Sequence, residues 1–261
     1  MGRQGVGIAI LLIAAILCSP VYARLYGKTF CKQEGFHCIK VKKHQSWQSL
    51  FPDDRERDIV MRLNRMNIQL WPGLMIAVPD NLAGADIMDF APFPLQIESP
   101  DEKVVVVDPS QLAWGAYDAE GTLLRWGPAS GGADWCKDID DQCRTQSGTF
   151  RVYSMGSSNC VSKKFPLPDG GAPMPYCMFF HHGQALHGEP QGLPGYNASH
   201  GCVRLYVNDV AWLRFDFVDP PMAENNFRGT KVVVMPYSYE MEAMQGKDRN
   251  GEFDLSYFSS T

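Results

Sequence analysis

Eight cysteines in a chain of 261 residues constrain its fold more than any other feature. One of them, Cys18, lies in an opening stretch that reads as a signal. Arg3 supplies a positive start, Val6 to Leu17 is apolar but too short to span a bilayer, and Val21-Tyr22-Ala23 fits a small-x-small cleavage site. Residues 1–23 are therefore expected to be a cleaved signal peptide, and the remainder an exported chain in a compartment where disulfides form. Seven cysteines then remain, an odd number. Nearness in sequence pairs Cys31 with Cys38, Cys136 with Cys143 and Cys160 with Cys177, although six cysteines admit many connectivities. Cys202, which has no near neighbour, is left as a free thiol in Ser199-His200-Gly201-Cys202.

The rest of the composition is that of a globular protein. The chain is 45% hydrophobic and 20% charged, with 24 basic and 29 acidic residues giving a net charge of −5. With no Lys/Arg-rich run, nucleic acid is not an expected partner. Residues 24–80 alternate as a short strand at Ile39-Lys40-Val41-Lys42, carry Ile59, Val60, Leu63 and Met66 at helical spacing, and return to a strand at Leu74 to Pro79 after a Pro72-Gly73 turn. This strand–helix–helix–strand (βααβ) order resembles a LysM module, a small α+β peptidoglycan-binding fold, although His44-Gln45-Ser46-Trp47 replaces the usual start of its first helix. Residues 81–102, with Pro92, Pro94 and Pro100, read as a semi-rigid linker. A mainly-β domain is expected over 103–236. It opens on the apolar run Val104 to Val107 and continues through a hairpin of Gln111 to Tyr117 and Thr122 to Trp126, then short strands at 149–153, 178–181, 185–187, 203–206 and 231–235. Asn208 to Arg214 reads as a helix capped by Asn208. The tail 237–261 is polar and expected to be poorly ordered.

Chemistry gathers between His187 and Leu205, where a thiol, two imidazoles and Arg204 sit among glycines. A cysteine nucleophile works as a thiolate, and a free thiol with a pKa of about 8.5 is mostly protonated at neutral pH, so an imidazole that takes the proton raises its reactivity. His187 and His200 both qualify. His200 lies two residues before Cys202, on the same side of an extended segment. His187 comes from another strand and can be oriented independently by a third group, which favours it. The amides of Gly201 and Cys202 are candidates to stabilise an oxyanion. A zinc site built from His181, His182, His187, His200 and Cys202 is the competing reading, against which no compact ligand pair is present. Asn197-Ala198-Ser199 matches a glycosylation sequon by chance, and Asp248 to Glu252 only faintly suggests a calcium loop.

His187-Gly188 followed fifteen residues after the histidine by Cys202, with Ser199-His200-Gly201 before it and Val203-Arg204 after it, is similar to the signature of the L,D-transpeptidase (YkuD-type) catalytic domain. Ser130-Gly131-Gly132, Gly148 to Val152, Met174-Pro175-Tyr176 with Met178 to Phe180, and Gly229 to Val232 resemble its other blocks in the same order; Gln146-Ser147 replaces a Pro-Thr pair. The resemblance implies a β-rich fold, Cys202 as nucleophile, His187 as base and the Gly188 carbonyl as the group orienting the imidazole. It places Tyr176, Met178, Ser199, His200 and Arg204 along the substrate site, the guanidinium fork of Arg204 suiting a carboxylate. No cofactor or metal is implied. The substrates would be peptidoglycan stem peptides in the periplasm, cleaved through a Cys thioester. The acceptor would be an amine of a second stem, a lipoprotein or a free D-amino acid, or water in an L,D-carboxypeptidase. A non-catalytic wall-binding protein on the same scaffold is the alternative.

Overall fold

The computed structural model describes residues 25–237; the expected signal peptide, the calcium-like loop and all of the tail except Tyr237 lie outside them. The chain is mainly β. At its N-terminal end a 3₁₀ turn, Tyr26–Lys32, is followed by β1 (Phe36–Lys40), α1 (Trp47–Leu50), α2 (Asp54–Leu63) and β2 (Met75–Pro79), with β1 and β2 paired antiparallel. The βααβ order is the one the sequence suggests. Ser46, within the departure noted above, caps α1 through a reciprocal pair of bonds with Ser49.

The second unit is a nine-stranded sheet in the order β6-β11-β3-β4-β5-β10-β9-β8-β7. Its strands are β3 (Val104–Asp108), β4 (Ala113–Tyr117), β5 (Leu123–Ser130), β6 (Gly148–Arg151), β7 (Ser154–Met155), β8 (Met178–His181), β9 (Gln184–Gly188), β10 (Val203–Leu205) and β11 (Lys231–Val234). The pairs β3/β11 and β9/β10 are parallel and the others antiparallel. The sheet curls until Phe150 of β6 meets Phe180 of β8, ring centroids 5.7 Å apart.

The run Val104 to Val107 is apolar throughout because both faces of β3 are covered. Val105 and Val107 join Trp114, Leu186, Val203, Leu205 and, from α3 (Val207–Trp212), Val210 in one core. Val104 and Val106 join Tyr117, Trp126 and Val233 in another, closed by Ile87, Met88, Phe90, Phe93 and Ile97. Residues 81–102 are thus not the spacer that their prolines suggest. Trp126 Nε1 donates to the Ile87 carbonyl at 2.9 Å and Tyr117 Oη to that of Pro94 at 2.8 Å, which fastens the segment over the sheet.

Two further expectations are corrected. The helix starts at Val207 rather than Asn208, after Tyr206 in extended conformation, and Asn208 caps nothing. Tyr237 is buried: its hydroxyl donates to the Gly132 carbonyl and accepts from the Thr145 amide.

The N-terminal unit docks through buried arginines. Arg62 of α2 grips Asp209 of α3 with two bonds of 2.8 Å, holds Asp58 at 2.9 Å, and donates to the Trp126 carbonyl. Burial alone would ease the proton off Arg62, but Asp209 and then Asp58 hold it more firmly than usual. Gly127 is required here, since a Cβ would sit 2.4 Å from Asp209 Oδ2. Arg65 lies between the rings of Tyr26 and Trp126, at 4.6 and 4.8 Å. Asp209 is fully buried and is also held by Arg125 at 2.9 Å, while Arg62 is 6% exposed, so removing Asp209 breaks two ion pairs and leaves the buried Arg62 with the half-exposed Asp58 alone. Asp209→Ala is expected to cost about 3–5 kcal/mol of unfolding free energy in urea titrations, and a loss below about 1 kcal/mol would contradict this account of the docking.

Candidate active site

Strand register assembles the site. In the parallel pair β9/β10, Leu186 faces Val203, His187 faces Arg204 and Gly188 faces Leu205. Leu186, Val203 and Leu205 point into the main core. Since side chains alternate along a strand, His187, Arg204 and Cys202, the residue just before β10, leave the opposite face. There Cys202 packs on a small cluster of Met174, Ala185 and the Cys160–Cys177 disulfide.

Among the described residues the three disulfides are those that sequence proximity selects, Cys31–Cys38, Cys136–Cys143 and Cys160–Cys177, and Cys202 is the free cysteine. Its Sγ lies 3.8 Å from the Gly183 carbonyl. Burial pushes the thiol pKa up, opposed by the Ala185 backbone and the charge of Arg204. His187, 3% exposed, is 2.8 Å from the Gly188 carbonyl through Nδ1. A carbonyl only accepts, so Nδ1 carries the proton and Nε2 is left as the basic atom. Burial lowers the imidazole pKa to about 4 against the Gly188 bond, and Arg204 adds to the lowering. Both groups are therefore neutral at rest.

The turn before Cys202 is internally bonded. Ser199 Oγ donates to the Cys202 carbonyl and accepts from the Gly201 amide at 3.0 Å. Gly201 has φ +112°, and a Cβ on it would lie 2.8 Å from Gln184 Nε2, so the position needs glycine. Ser199 N and O bond Gly131 O and Ala133 N at 3.0 and 2.8 Å, which explains why the Ser130-Gly131-Gly132 block accompanies this turn.

Several expected site residues have other occupations. Met178 is fully buried opposite Leu186 and is a core residue. Ser199 is 1% exposed and shapes the turn. The Gly201 amide is engaged by Ser199 and is withdrawn as an oxyanion donor. His200 has Nε2 at 2.8 and 2.9 Å from the two Asp138 oxygens, and its ring stacks on Phe165. Tyr176, at φ +59°, sits in the 160–177 loop with its ring against Phe215.

Among the described residues, Cys136, Cys143 and His200 lie within 4.8 Å of one another, and the two sulfurs are bonded together. Asn197 Nδ2 donates to the Pro109 carbonyl and its Oδ1 accepts from Gly131, so the sequon's amide belongs to the fold. Sequence reasoning missed Glu189, whose carboxylate lies 3.3 Å from Arg204 Nε and whose amide bonds the Leu205 carbonyl. Its only signal is the period-2 spacing from His187.

The family model of the L,D-transpeptidase catalytic domain (YkuD) matches residues 102–234. The match spans half the chain, and the chain belongs to this family. Among solved structures it is similar to the L,D-transpeptidase of Xylanimonas cellulosilytica, with 24% identity over 62% of this chain and 72% of that one, and a TM-score of 0.46. It is also similar to an L,D-transpeptidase from Mycobacterium smegmatis, at 22% identity over 52% and 59% of the two chains, TM-score 0.41. A third is L,D-transpeptidase 3 from Mycobacterium tuberculosis bearing a faropenem-derived adduct, at 22% identity over 51% and 60%, TM-score 0.40. The chain thus spans about three fifths of the two mycobacterial proteins. No curated protein matches it.

The lowered His187 pKa makes a signed prediction. Between about pH 6.5 and 4 the unfolded chain binds a proton that folded His187 refuses, so this contribution to stability is complete above pH 6.5 and is lost as pH falls towards 4. The loss amounts to at most about 3 kcal/mol. Urea titrations at pH 7 and 4.5 should show a smaller drop for His187→Gln than for the parent chain. Equal drops, or a His187 NMR titration midpoint of 6 or above, would contradict the assignment.

Proposed function

We propose that the chain is an exported cysteine L,D-transpeptidase acting on peptidoglycan stem peptides. The observation that carries this reading is that Cys202, the one free thiol among the described residues, lies on the same sheet face as His187, whose Nδ1 is fixed by the Gly188 carbonyl. The three disulfides suit an exported chain. The N-terminal βααβ unit is read as a LysM-like module that brings the enzyme to the wall.

The electrostatics favour a mechanism without a resting ion pair. Burial opposes both thiolate and imidazolium, so the Cys202 proton passes to His187 Nε2 as Sγ attacks the carbonyl between the third stem residue and the terminal D-alanine. The Cys202 amide, the donor left once Gly201 is engaged, faces the oxyanion. His187 then gives the proton to the departing amine of D-alanine, leaving a thioester on Cys202. An acceptor amine surrenders a proton to His187, attacks the thioester and restores the thiol. Arg204, tied through Nε to Glu189, offers its remaining N–H groups to a stem-peptide carboxylate.

The test is mass spectrometry of a disaccharide-tetrapeptide incubated with the oxidised protein. A cross-linked dimer indicates transfer to a second stem, and tripeptide with free D-alanine indicates an L,D-carboxypeptidase. Cys202→Ala should abolish either product, and His187→Gln should reduce it by about 100-fold or more. Turnover persisting in Cys202→Ala would refute the mechanism, and no turnover by a protein with a confirmed free thiol would favour the wall-binding alternative.

A further inference from the structure

Two of the three disulfides close loops that meet on one side chain of the nucleophile turn. The 136–143 loop carries Asp138, whose two carboxylate oxygens lie 2.9 and 2.8 Å from His200 Nε2. The 160–177 loop carries Phe165, which stacks on the same imidazole with ring centroids 3.9 Å apart and planes 21° from parallel. Phe165 is itself anchored: its amide donates to Ser162 Oγ at 2.9 Å and its carbonyl accepts from the Ala172 amide at 3.0 Å. The loop then runs on to Met174, Pro175 and Tyr176, and Met174 packs in the cluster beside Cys202.

The turn does not need His200 to hold its shape. Ser199 is bonded at both N and O to the 131–133 segment, and its hydroxyl ties Gly201 to Cys202. Nor is the imidazole free to serve the thiol, since one nitrogen faces Asp138 and the ring is stacked against Phe165. What its side chain links is one disulfide-closed loop to the other.

We infer that His200 is a positioning residue for the donor peptide: by joining the Asp138 loop to the Phe165 loop it fixes the 160–177 wall, whose Met174 packs beside a nucleophile already fixed by the sheet. This rests on the transpeptidase reading in taking that loop as a wall of the substrate site. A side chain that orders a wall of the site acts on substrate binding, whereas a base acts on the thiol. The two roles separate in steady-state and alkylation rates.

The variants His200→Ala, His200→Gln, Asp138→Asn and Phe165→Leu should be compared in the oxidised full chain. His200→Ala is expected to raise KM for the disaccharide-tetrapeptide by about fivefold or more while kcat and the rate of Cys202 alkylation by iodoacetamide stay within about twofold. Asp138→Asn and Phe165→Leu should each raise KM less, and adding either to His200→Ala should change nothing further, since both act through the imidazole. His200→Gln, which can still bond Asp138, should lie between His200→Ala and the parent. Amide hydrogen exchange in residues 160–177 should quicken in His200→Ala, a readout independent of turnover. If the parent turns over no tetrapeptide and exchange still quickens, the pinning holds and the transpeptidase reading fails. Alkylation slowed about tenfold in His200→Ala would make His200 a base and overturn the inference, as would an unchanged KM with unchanged exchange.

Discussion

The site depends on the parallel pairing of β9 with β10. One register places His187 opposite Arg204, brings Cys202 beside Ala185, and sends Leu186, Val203 and Leu205 into the core. A slip of one residue would reverse every side chain, burying the thiol and guanidinium and exposing the leucines, so the hydrophobic demand of the core also fixes the face that carries Cys202 and His187. Parallel strands need a crossover, and here residues 189–202 supply it without a helix. The N-terminal unit braces that crossover. Asn67 bonds Leu193 in both directions, through its amide to the Leu193 carbonyl and through Oδ1 from the Leu193 amide, and Met66 bridges to Pro194.

This bracing gives the buried charges a purpose. Arg62 and Asp209 join α2 to α3, while Arg65 sits between Tyr26 and Trp126 with Nε on the Gln111 carbonyl. Such groups bring little net stability over apolar packing, but they tolerate few alternative arrangements once buried. The N-terminal unit is thereby held in the pose that supports the connection between the strand of His187 and the strand that follows Cys202. The 81–102 segment adds the apolar part of the docking by covering Val104, Val106 and Trp126.

Local chemistry was legible in the sequence. The Cys202 turn and His187 stood out because thiol, imidazole and glycine lay close together, and the disulfides because each pair spans a short loop. The run Val104 to Val107 stood out as a fully apolar strand, and the structure covers both its faces. What stayed hidden depends on contacts distant in the chain. The prolines of 81–102 suggested a spacer because no periodicity reveals which face of a distant sheet a segment will cover. Asp209 read as an ordinary polar residue of a helix until Arg62, 147 positions earlier, arrived beside it. Met178 was expected at the substrate because it belongs to a recognisable block, but its register with Leu186 turns it inward. Gly201 was expected to donate its amide outward, and the Ser199 hydroxyl, two residues away, claims it. Glu189 carried no motif at all and gains meaning only from Arg204 on the next strand.

The proposed chemistry stands or falls on whether Cys202 carries the acyl group. Intact-protein mass spectrometry of the oxidised chain, quenched in acid within the first turnover on a tetrapeptide donor, tests it most directly, because a thioester survives acid. The account predicts a mass increase equal to the donor less D-alanine, mapping to the peptide that contains Cys202 and released by hydroxylamine. Turnover of the donor with no such adduct, or with the adduct on any other residue, would contradict it.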